Sequence, residues 1–224
     1  VMTMSELSVS LAHEINQPLG AIMNNAKAAQ VLNPELIREN TELGEILADI
    51  GKDAIRASEV VRKIRTIVKK EEVKFERLNL NVLIESVVEL YRNILNKEKI
   101  SVVMDLQPDL APVRGDQVRL QQVIMNLITN ASEAMRESPA KALTMRSIMQ
   151  SPDRITLSIS DSGPGVDDAV RDKVFQPFFT TKKDGLGMGL RISRTIIEDH
   201  GGRIWVENNP TAGVTFSISL NTDR

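Results

Sequence analysis

A heptad repeat in the first third of the chain limits its fold more than any other feature. Apolar residues alternate steps of four and three without a break, at Leu43, Leu47, Ile50, Ala54, Ala57, Val61, Ile64 and Val68. This spacing is typical of a helix that packs along its length against another helix. The repeat therefore predicts a helical bundle.

A second, looser apolar stripe precedes the repeat, at Met4, Leu7, Leu11, Ile15, Pro18 and Ile22. Asn33-Pro34 separates the two helices, because proline disfavours helical backbone in the residue before it. We therefore expect a helical hairpin. One hairpin has a thin core, so we expect a homodimer in which two copies form a four-helix bundle.

The pattern changes after a charged run at residues 69–77, which we interpret as a solvated helix end and linker. Asn81 is expected to cap a helix whose apolar face comprises Ile84, Val87, Val88, Tyr91 and Leu95. Further helices are predicted near 116–137 and 188–199. Alternating apolar residues predict strands at 100–106, 142–148, 154–160, "RIWVE" and "GVTFSISL".

These elements predict an α+β protein with two domains, 1–72 and 73–224. The first is the helical hairpin, and the second is a two-layer α/β sandwich with a mixed sheet. With 42% hydrophobic residues, the 224-residue chain can form a normal buried core.

Composition also excludes several kinds of site and partner. The chain has no cysteine, which excludes disulfides, thiolate metal sites and cysteine catalysis. A net charge of -2 gives no global basic field, so we expect no nucleic-acid partner. No apolar run approaches the ~18 residues that cross a bilayer. We expect a cytoplasmic location for this chain and no membrane segment in it, while a longer protein containing it could be attached to a membrane.

Two glycine-containing segments could contact a nucleotide. "DSGPGV", residues 161–166, follows a predicted strand, and its carboxylate could accept a hydrogen bond from an exocyclic amine such as that of adenine. "GLGMGL", residues 185–190, opens a helix whose first N–H groups could bind phosphate. Taken alone, "DSGPGV" is better explained by an ordinary turn, and "GLGMGL" is a weak signal that a flexible loop and helix cap would also explain.

Two further segments each have a structural and a functional interpretation. In "QQVIMNLITNASEAM", residues 121–135, Asn126 and Asn130 share one helix face. Their amides could be hydrogen-bonded parts of the structure, or their oxygens could be ligands of Mg²⁺. "VFQPFFTTK", residues 174–182, holds three of the five phenylalanines. It is expected to be a packed loop anchor or a nucleotide lid.

"LAHEINQPL", residues 11–19, contains one of only two histidines. At 3.6 residues per turn, His13 points roughly 165° away from the apolar stripe of its helix. It is therefore expected to face solvent, which disfavours a role in the core or as a metal ligand.

In chain order, these five segments resemble the H, N, G1, F and G2 boxes of sensor histidine kinases, whose ATP-binding domain is of the GHKL (Bergerat) type. The resemblance covers nearly the whole chain. It implies a dimerisation and phosphoacceptor hairpin followed by a catalytic domain that binds ATP and Mg²⁺. It also implies phosphoryl transfer from ATP to the hairpin, and then to an aspartate in the receiver domain of a response regulator.

By resemblance, His13 is the phosphoacceptor, and Glu14 is the neighbouring base that takes the ring proton. Gln17 corresponds to the residue that orients a water in a second, phosphatase activity toward the regulator, although related kinases more often carry threonine or asparagine there. Pro18 is expected to bend the helix beyond the site.

The resemblance implies that Asp161 reads adenine and that Gly163 and Gly165 shape its pocket. Asn130, and with it Asn126, would hold Mg²⁺ and phosphate oxygens. The remaining implied nucleotide contacts are glycines that bend a lid over the triphosphate and a lysine that neutralises its charge: Gly185, Gly187, Gly189 and Lys182, with Lys183 beside it. Many relatives carry a phosphate-binding lysine where this chain has Glu133, so another group must serve here.

Two alternative functions come from other classes. ATP hydrolases of the same superfamily carry a glutamate where this chain has Asn126, and an amide cannot be the base that activates water. A non-catalytic dimeric scaffold that binds ATP as a structural ligand is the other alternative, and the intact His13-Glu14 pair argues against it.

The second histidine, His200, follows the helix near 188–199 and precedes Gly201-Gly202. Glycine commonly caps a helix C-terminus, where the helix dipole favours a cation. We expect a structural role for His200.

Overall fold

The computed structural model describes residues 4–68, 74–181 and 187–223, with side chains in the first 72 residues described only in part. The chain divides into two compact units, Val1–Glu72 and Val73–Arg224. None of the helices in the described ranges combines the length and apolar character that a bilayer crossing requires.

The first unit is a helical hairpin, as predicted. Helix α1 spans Met4–Leu32 and runs through Pro18, and helix α3 spans Thr41–Val68. The predicted break at Asn33 is present, and a short helix that the sequence analysis missed, α2 (Pro34–Glu39), follows it. Proline suits the first turn of a helix because the N–H that it lacks would have no intrahelical partner there.

Small side chains form the contact between α1 and α3. Ala26 and Ala54 are buried, and the side-chain amide of Gln30 donates to the carbonyl of Gly44 at 3.1 Å. Three larger members of the predicted apolar stripes, Ile15, Ile22 and Ile50, are instead exposed. These three members of the stripes therefore lie outside the interior of a single hairpin.

The second unit is a two-layer α/β sandwich, which confirms the predicted fold class. Its main sheet has the order β2-β4-β5-β7-β6, in which β2 and β4 are parallel and the other neighbours antiparallel. The strands are β2 (Ser101–Leu106), β4 (Ala142–Ser151), β5 (Arg154–Asp161), β6 (Arg203–Asn208) and β7 (Val214–Asn221).

Three helices pack on one face of this sheet: α4 (Leu80–Lys97), α5 (Gln117–Ala134) and α6 (Gly189–Asp199). Ile155, Leu157 and Ile159 are buried beneath them, as their alternation predicted. A second sheet pairs β1 (Glu76–Leu78) with β3 (Val113–Gly115), and a 3₁₀ turn spans Arg171–Lys173. β1 overlaps the end of the predicted 69–77 linker. This short, exposed strand was not predicted because its side chains are mostly charged.

One local prediction was wrong. Asn79, not Asn81, caps α4, because its extended backbone lets its side-chain oxygen accept the N–H groups of Asn81 and Val82, at 3.0 and 3.3 Å. Asn81 instead bonds to Ser147 and Gln107. The two asparagines lie on either side of Leu80, the first residue of α4, so the sequence pattern alone was consistent with either of them as the cap.

His200 has the predicted structural role, but not as a cation. Burial lowers the pKa of its imidazole below the ordinary value. The ring therefore favours the neutral form at the C-terminus of α6, where the helix dipole alone would favour a positive charge.

Candidate functional site

Asp161 lies at the end of β5 and is buried. One of its carboxylate oxygens, Oδ1, accepts the backbone N–H groups of Gly163 at 2.8 Å and of Val214 at 3.5 Å. Burial raises the pKa of this carboxyl, and the two N–H donors partly oppose the rise. Both of these hydrogen bonds are accepted by Oδ1.

Glycines leave no room for side chains around this carboxylate. A Cβ atom at Gly163 would lie 2.8 Å from Asp161 Oδ1. At Gly213, a Cβ atom would lie 1.9 Å from the Asp161 carbonyl oxygen, and φ is +87°, a conformation that favours glycine. The sequence analysis found Gly163 but missed Gly213, which stands before the last strand as an ordinary turn glycine would.

Two asparagines hold the turn around Asp161, and the sequence analysis missed both. The side-chain amide of Asn209 donates to the Asp161 carbonyl at 2.9 Å. Asn208 accepts the Val166 N–H at 2.9 Å and donates to the Val166 carbonyl at 2.7 Å, beside Gly165, whose φ is +90°. Their signal, an Asn-Asn-Pro turn, is indistinguishable in sequence from a simple hairpin connection.

Asn126 joins α5 to α6. Its side-chain amide nitrogen donates to Ser193 Oγ at 3.0 Å, and Ser193 is buried. A Cβ atom at Gly189 would lie only 2.3 Å from Asn126 Oδ1, so the first turn of α6 approaches this amide closely. Asn126 is thus in contact with one of the predicted lid glycines.

Asn130 lies one turn beyond Asn126 on α5 and is partly buried, whereas Glu133 is exposed. The same helix ends at Ala134, where a Cβ atom on Gly163 would meet the Ala134 side chain at 3.3 Å. The end of α5 therefore lies against the Asp161 turn. This brings together the residues of two predicted motifs that are about 30 positions apart.

The phenylalanine-containing segment packs only in part. Phe175 is buried and makes an edge-to-face contact with Phe216, at 6.3 Å between ring centroids. Phe178 is 72% exposed and has φ +64°, which is uncommon for a bulky residue. The anchor interpretation thus fits Phe175, whereas Phe178 is open to solvent.

Gly187 lies against this segment. A Cβ atom there would come within 2.4 Å of the Phe179 carbonyl oxygen, and its φ of +62° also favours glycine. Lys182, Lys183 and Gly185 lie outside the described residues.

In the hairpin, the segment with the candidate phosphoacceptor is helical, because α1 contains residues 4–32. The side chains of His13 and Glu14 lie outside the described residues. Gln17 is exposed one turn beyond them. The predicted solvent-facing direction of His13 therefore stays a prediction.

Comparison with known proteins covers both units. The family model of the His Kinase A (phospho-acceptor) domain matches residues 3–73. That of the histidine kinase-, DNA gyrase B- and HSP90-like ATPases matches residues 115–224. The catalytic domain of histidine kinase ThkA is 36% identical, with a TM-score of 0.61, over 66% of this chain and 98% of that one. The chain belongs to the sensor histidine kinase family.

Longer relatives of this kinase agree with that assignment. Sensor protein FixL of Bradyrhizobium diazoefficiens is 38% identical over 97% of this chain and 43% of its own length. Sensor histidine kinase TmoS of Ectopseudomonas mendocina is 35% identical over 97% of this chain and 23% of its own length. The kinase chain thus spans less than half of these curated relatives.

A solved structure of ThkA in complex with the response regulator TrrA is similar over both units. It covers 98% of this chain and 64% of that one, with 28% identity and a TM-score of 0.67. The prediction of a two-component sensor histidine kinase with an ATP-binding domain is confirmed at the level of the family.

Proposed function

We propose that this chain is the kinase portion of a sensor histidine kinase, which transfers the γ-phosphoryl group of ATP to His13 and then to an aspartate of a response regulator. Residues 1–72 would dimerise and accept the phosphoryl group, and residues 73–224 would bind ATP. The observation that carries the proposal is the buried Asp161 carboxylate, closed in by glycines, in a unit that shares its chain with a phospho-acceptor hairpin.

The Asp161 site fits the adenine end of a nucleotide. Asp161 Oδ1 is engaged by two backbone N–H groups, and Oδ2 would accept a hydrogen bond from an exocyclic amine. Guanine carries an acceptor at the corresponding position, so the carboxylate would select adenine. Gly163 and Gly165 would shape the pocket, with Gly213 beneath the carboxylate.

The phosphate end would lie toward α5 and the first turn of α6. Asn130 would offer its amide oxygen to Mg²⁺, which in proteins is commonly bound by a few side-chain oxygens together with substrate phosphates. Bound Mg²⁺ would neutralise charge on the β- and γ-phosphates. Asn126 would keep α6 against α5 through Ser193.

Backbone N–H groups in the glycine segment would bind the phosphates through Gly185, Gly187 and Gly189. Lys182 would add a positive charge. Because Glu133 occupies the position of the family's phosphate-binding lysine, we assign that role to Lys182.

At His13, a neutral imidazole nitrogen would attack the γ-phosphorus. A P–N bond forms, the bond to the β,γ-bridging oxygen breaks, and ADP leaves. Glu14 would take the proton from the other ring nitrogen as general base. The phosphoryl group would then pass to a carboxylate oxygen of the regulator, which regenerates His13.

Two partners follow from this function. A second copy of the chain would cover the exposed isoleucines of the hairpin in a four-helix bundle. A response regulator receiver domain would receive the phosphoryl group, and support comes from ThkA, which was solved in complex with its regulator TrrA. Gln17 would orient a water in a separate phosphatase reaction, which hydrolyses the phosphoryl group on the regulator. We propose a cytoplasmic location for these domains.

The test is incubation of the chain with Mg²⁺ and γ-labelled ATP, beside His13→Gln and, as a matched control on the same helix, Lys27→Gln. We expect acid-labile, alkali-stable label on the wild-type chain and on Lys27→Gln, and none on His13→Gln. Label on His13→Gln would contradict the phosphoacceptor. Nucleotide binding without any label would favour the non-catalytic scaffold.

A further inference from the structure

His200 makes two hydrogen bonds from a buried position at the end of α6. Its Nε2 accepts the backbone N–H of Asp116 at 2.9 Å, and its Nδ1 lies 2.7 Å from the Ile196 carbonyl oxygen. A carbonyl oxygen can only accept a hydrogen bond, so Nδ1 carries a proton. Nε2 accepts a hydrogen bond and therefore carries none, so the ring is neutral. His200 thus joins the C-terminus of α6 to the N-terminus of α5.

Asp116 extends this connection to the start of the second unit. One carboxylate oxygen accepts the N–H of Arg119 at 3.0 Å and caps α5. The other accepts the N–H of Lys74 at 3.1 Å. The next residue, Phe75, places its ring against the His200 imidazole, with centroids 4.9 Å apart. The first described residues of the unit are therefore held on the His200–Asp116 pair.

The two helices joined here are also the helices of the proposed nucleotide site. Asn126 and Asn130 lie further along α5, and α6 begins at Gly189. His200 is at the opposite end of α6 from Gly189, so it has no part in contacting the nucleotide. It lies where residues 74–75 meet both helices.

We propose that neutral His200 is a positioning residue, which fixes residues 74–75 to α5 and α6 and thereby keeps these two helices of the proposed nucleotide site in the arrangement that phosphoryl transfer requires. The proposal rests on the proposed kinase function. It predicts that loss of the anchor slows phosphoryl transfer while nucleotide affinity is kept.

The ring has little freedom to change its contacts. A Cβ atom on Gly115 would lie 2.9 Å from His200 Cδ2, so the backbone passes directly beside it. Protonation at Nε2 would set two N–H donors against each other, which breaks the bond to Asp116.

The charged groups around the ring come from both helices. Asp116 and Arg119 are on α5 and Asp199 ends α6, with Arg119 and Asp199 paired at 2.6 Å. Burial lowers the pKa of His200, Arg119 lowers it further, and the two aspartates oppose that effect. The anchor is therefore stable at neutral pH and weakens in acid.

The test compares His200→Asn with His200→Gln in the full chain. Asparagine can replace Nδ1 as a donor but does not reach Asp116, whereas the glutamine side chain can reach it with an acceptor that does not titrate. Val88→Ala, which shortens a buried side chain on α4, is the control for general destabilisation. Autophosphorylation rate at saturating Mg²⁺-ATP, the dissociation constant of a fluorescent ATP analogue and hydrogen exchange at the Lys74 and Asp116 amides are measured.

For His200→Asn, we expect the labelling rate to fall at least about tenfold, because small misplacement of reacting groups is costly, with nucleotide affinity within about threefold of wild type. The Lys74 and Asp116 amides should exchange faster. His200→Gln should restore most of the rate and lose less of it as the pH falls below about 6.5. His13 is present in both chains, so the ratio of their rates isolates His200.

An unchanged rate in His200→Asn, or equal losses of rate and nucleotide affinity, would overturn the proposal. So would a loss of the same size in Val88→Ala. If the wild-type chain binds nucleotide but gives no label, the proposed function fails instead. In that case, hydrogen exchange still tests the anchor independently of kinase activity. Faster exchange of both amides in His200→Asn supports the anchor, and unchanged exchange refutes it.

Discussion

The two units of this kinase bury their apolar side chains very differently. In the described part of the hairpin, Ile15 and Ile22 are each 45% exposed, Ile46 is 50% exposed and Ile50 is 41% exposed. In the ATP-binding unit, by contrast, Ile124 and Ile128 on α5 are completely buried. The second unit has a buried core of large apolar side chains, whereas the described part of the hairpin leaves these four isoleucines exposed.

The two units therefore differ in whether they need a partner to cover exposed apolar side chains. Exposed branched apolar residues along two helices are costly in water and favour association with a similar surface. A second copy of the hairpin has the required pattern, because α3 carries apolar residues at heptad spacing and α1 carries a looser apolar stripe. The large apolar residues of the ATP-binding unit form a buried core within that unit.

Ile22→Lys should give the largest effect and tests the hairpin side of the comparison. Burying an isoleucine is worth about 1.5–3 kcal/mol, and a twofold interface loses it twice. We expect the dimer dissociation constant to rise about a hundredfold or more, measured by sedimentation over a dilution series. Lys27→Glu, at an exposed position of the same helix, is the control. An unchanged dissociation constant would contradict an interface through Ile22.

Leu127→Ala tests the other side, because Leu127 is buried on α5 within the ATP-binding unit. The cavity should cost about 2–5 kcal/mol of unfolding free energy in that unit. Fluorescence of Trp205, the only tryptophan, reports this transition in the full chain. The dimer dissociation constant should not change, and a parallel loss of dimer would show that the units are not independent.

Asp161→Asn should separate stability from function within the ATP-binding unit. Burial holds the folded-state pKa of Asp161 above its unfolded value, so the favourable contribution of this group is present at low pH and lost as the pH rises through the folded pKa. At pH 7 the buried carboxylate therefore costs stability, and the neutral amide should raise the unfolding free energy slightly.

The same substitution should weaken ATP binding about tenfold or more, because a hydrogen bond to a charged acceptor is lost. Titration calorimetry at pH 7 measures the affinity, and Ser160→Ala, on the adjacent residue of β5, is the control. If Asp161→Asn bound ATP as tightly as wild type, Asp161 would not be the adenine contact.

Mild acid should give the smallest effect, again confined to the ATP-binding unit. The folded-state pKa of His200 lies below its unfolded value, so the unfolded chain binds the proton more readily. Stability should be complete above about pH 6.5 and decrease as the pH falls toward the folded-state pKa. Urea unfolding followed by Trp205 fluorescence at a series of pH values measures it. His200→Gln should flatten this dependence, and an identical slope in both chains would assign the pH effect to another group.

Much of the fold could be predicted because it depends on short-range patterns. The helical hairpin with its break at Asn33, the three helices of the second unit and all five strands of the main sheet follow from periodicity and turn residues. The α4 cap was misassigned because Asn79 and Asn81 satisfy the same local rule. β1 was missed because its three residues, Glu76–Leu78, are mostly exposed and lack an apolar alternation.

The candidate site was predictable where a motif is local and unpredictable where contacts are distant. Asp161 and Gly163 belong to one short turn, and their hydrogen bond is observed at 2.8 Å. Ser193 gives no such signal, since a serine within a helix is unremarkable until Asn126 is placed beside it. Gly213 likewise gains its importance only from the Asp161 carbonyl that lies above it.

The sequence by itself determined which segments are helices and strands, the family and the local motifs, because these depend on residues a few positions apart. Only the tertiary structure decided which side chains meet across long separations. Asn209 reaches Asp161 over 48 positions, Asn126 reaches Ser193 over 67 and Asp116 reaches His200 over 84. Such contacts form when packing brings whole elements together, so no local pattern records them. For this reason the sequence alone could predict a solvent-facing His13, whereas it could not indicate the anchoring role proposed for His200.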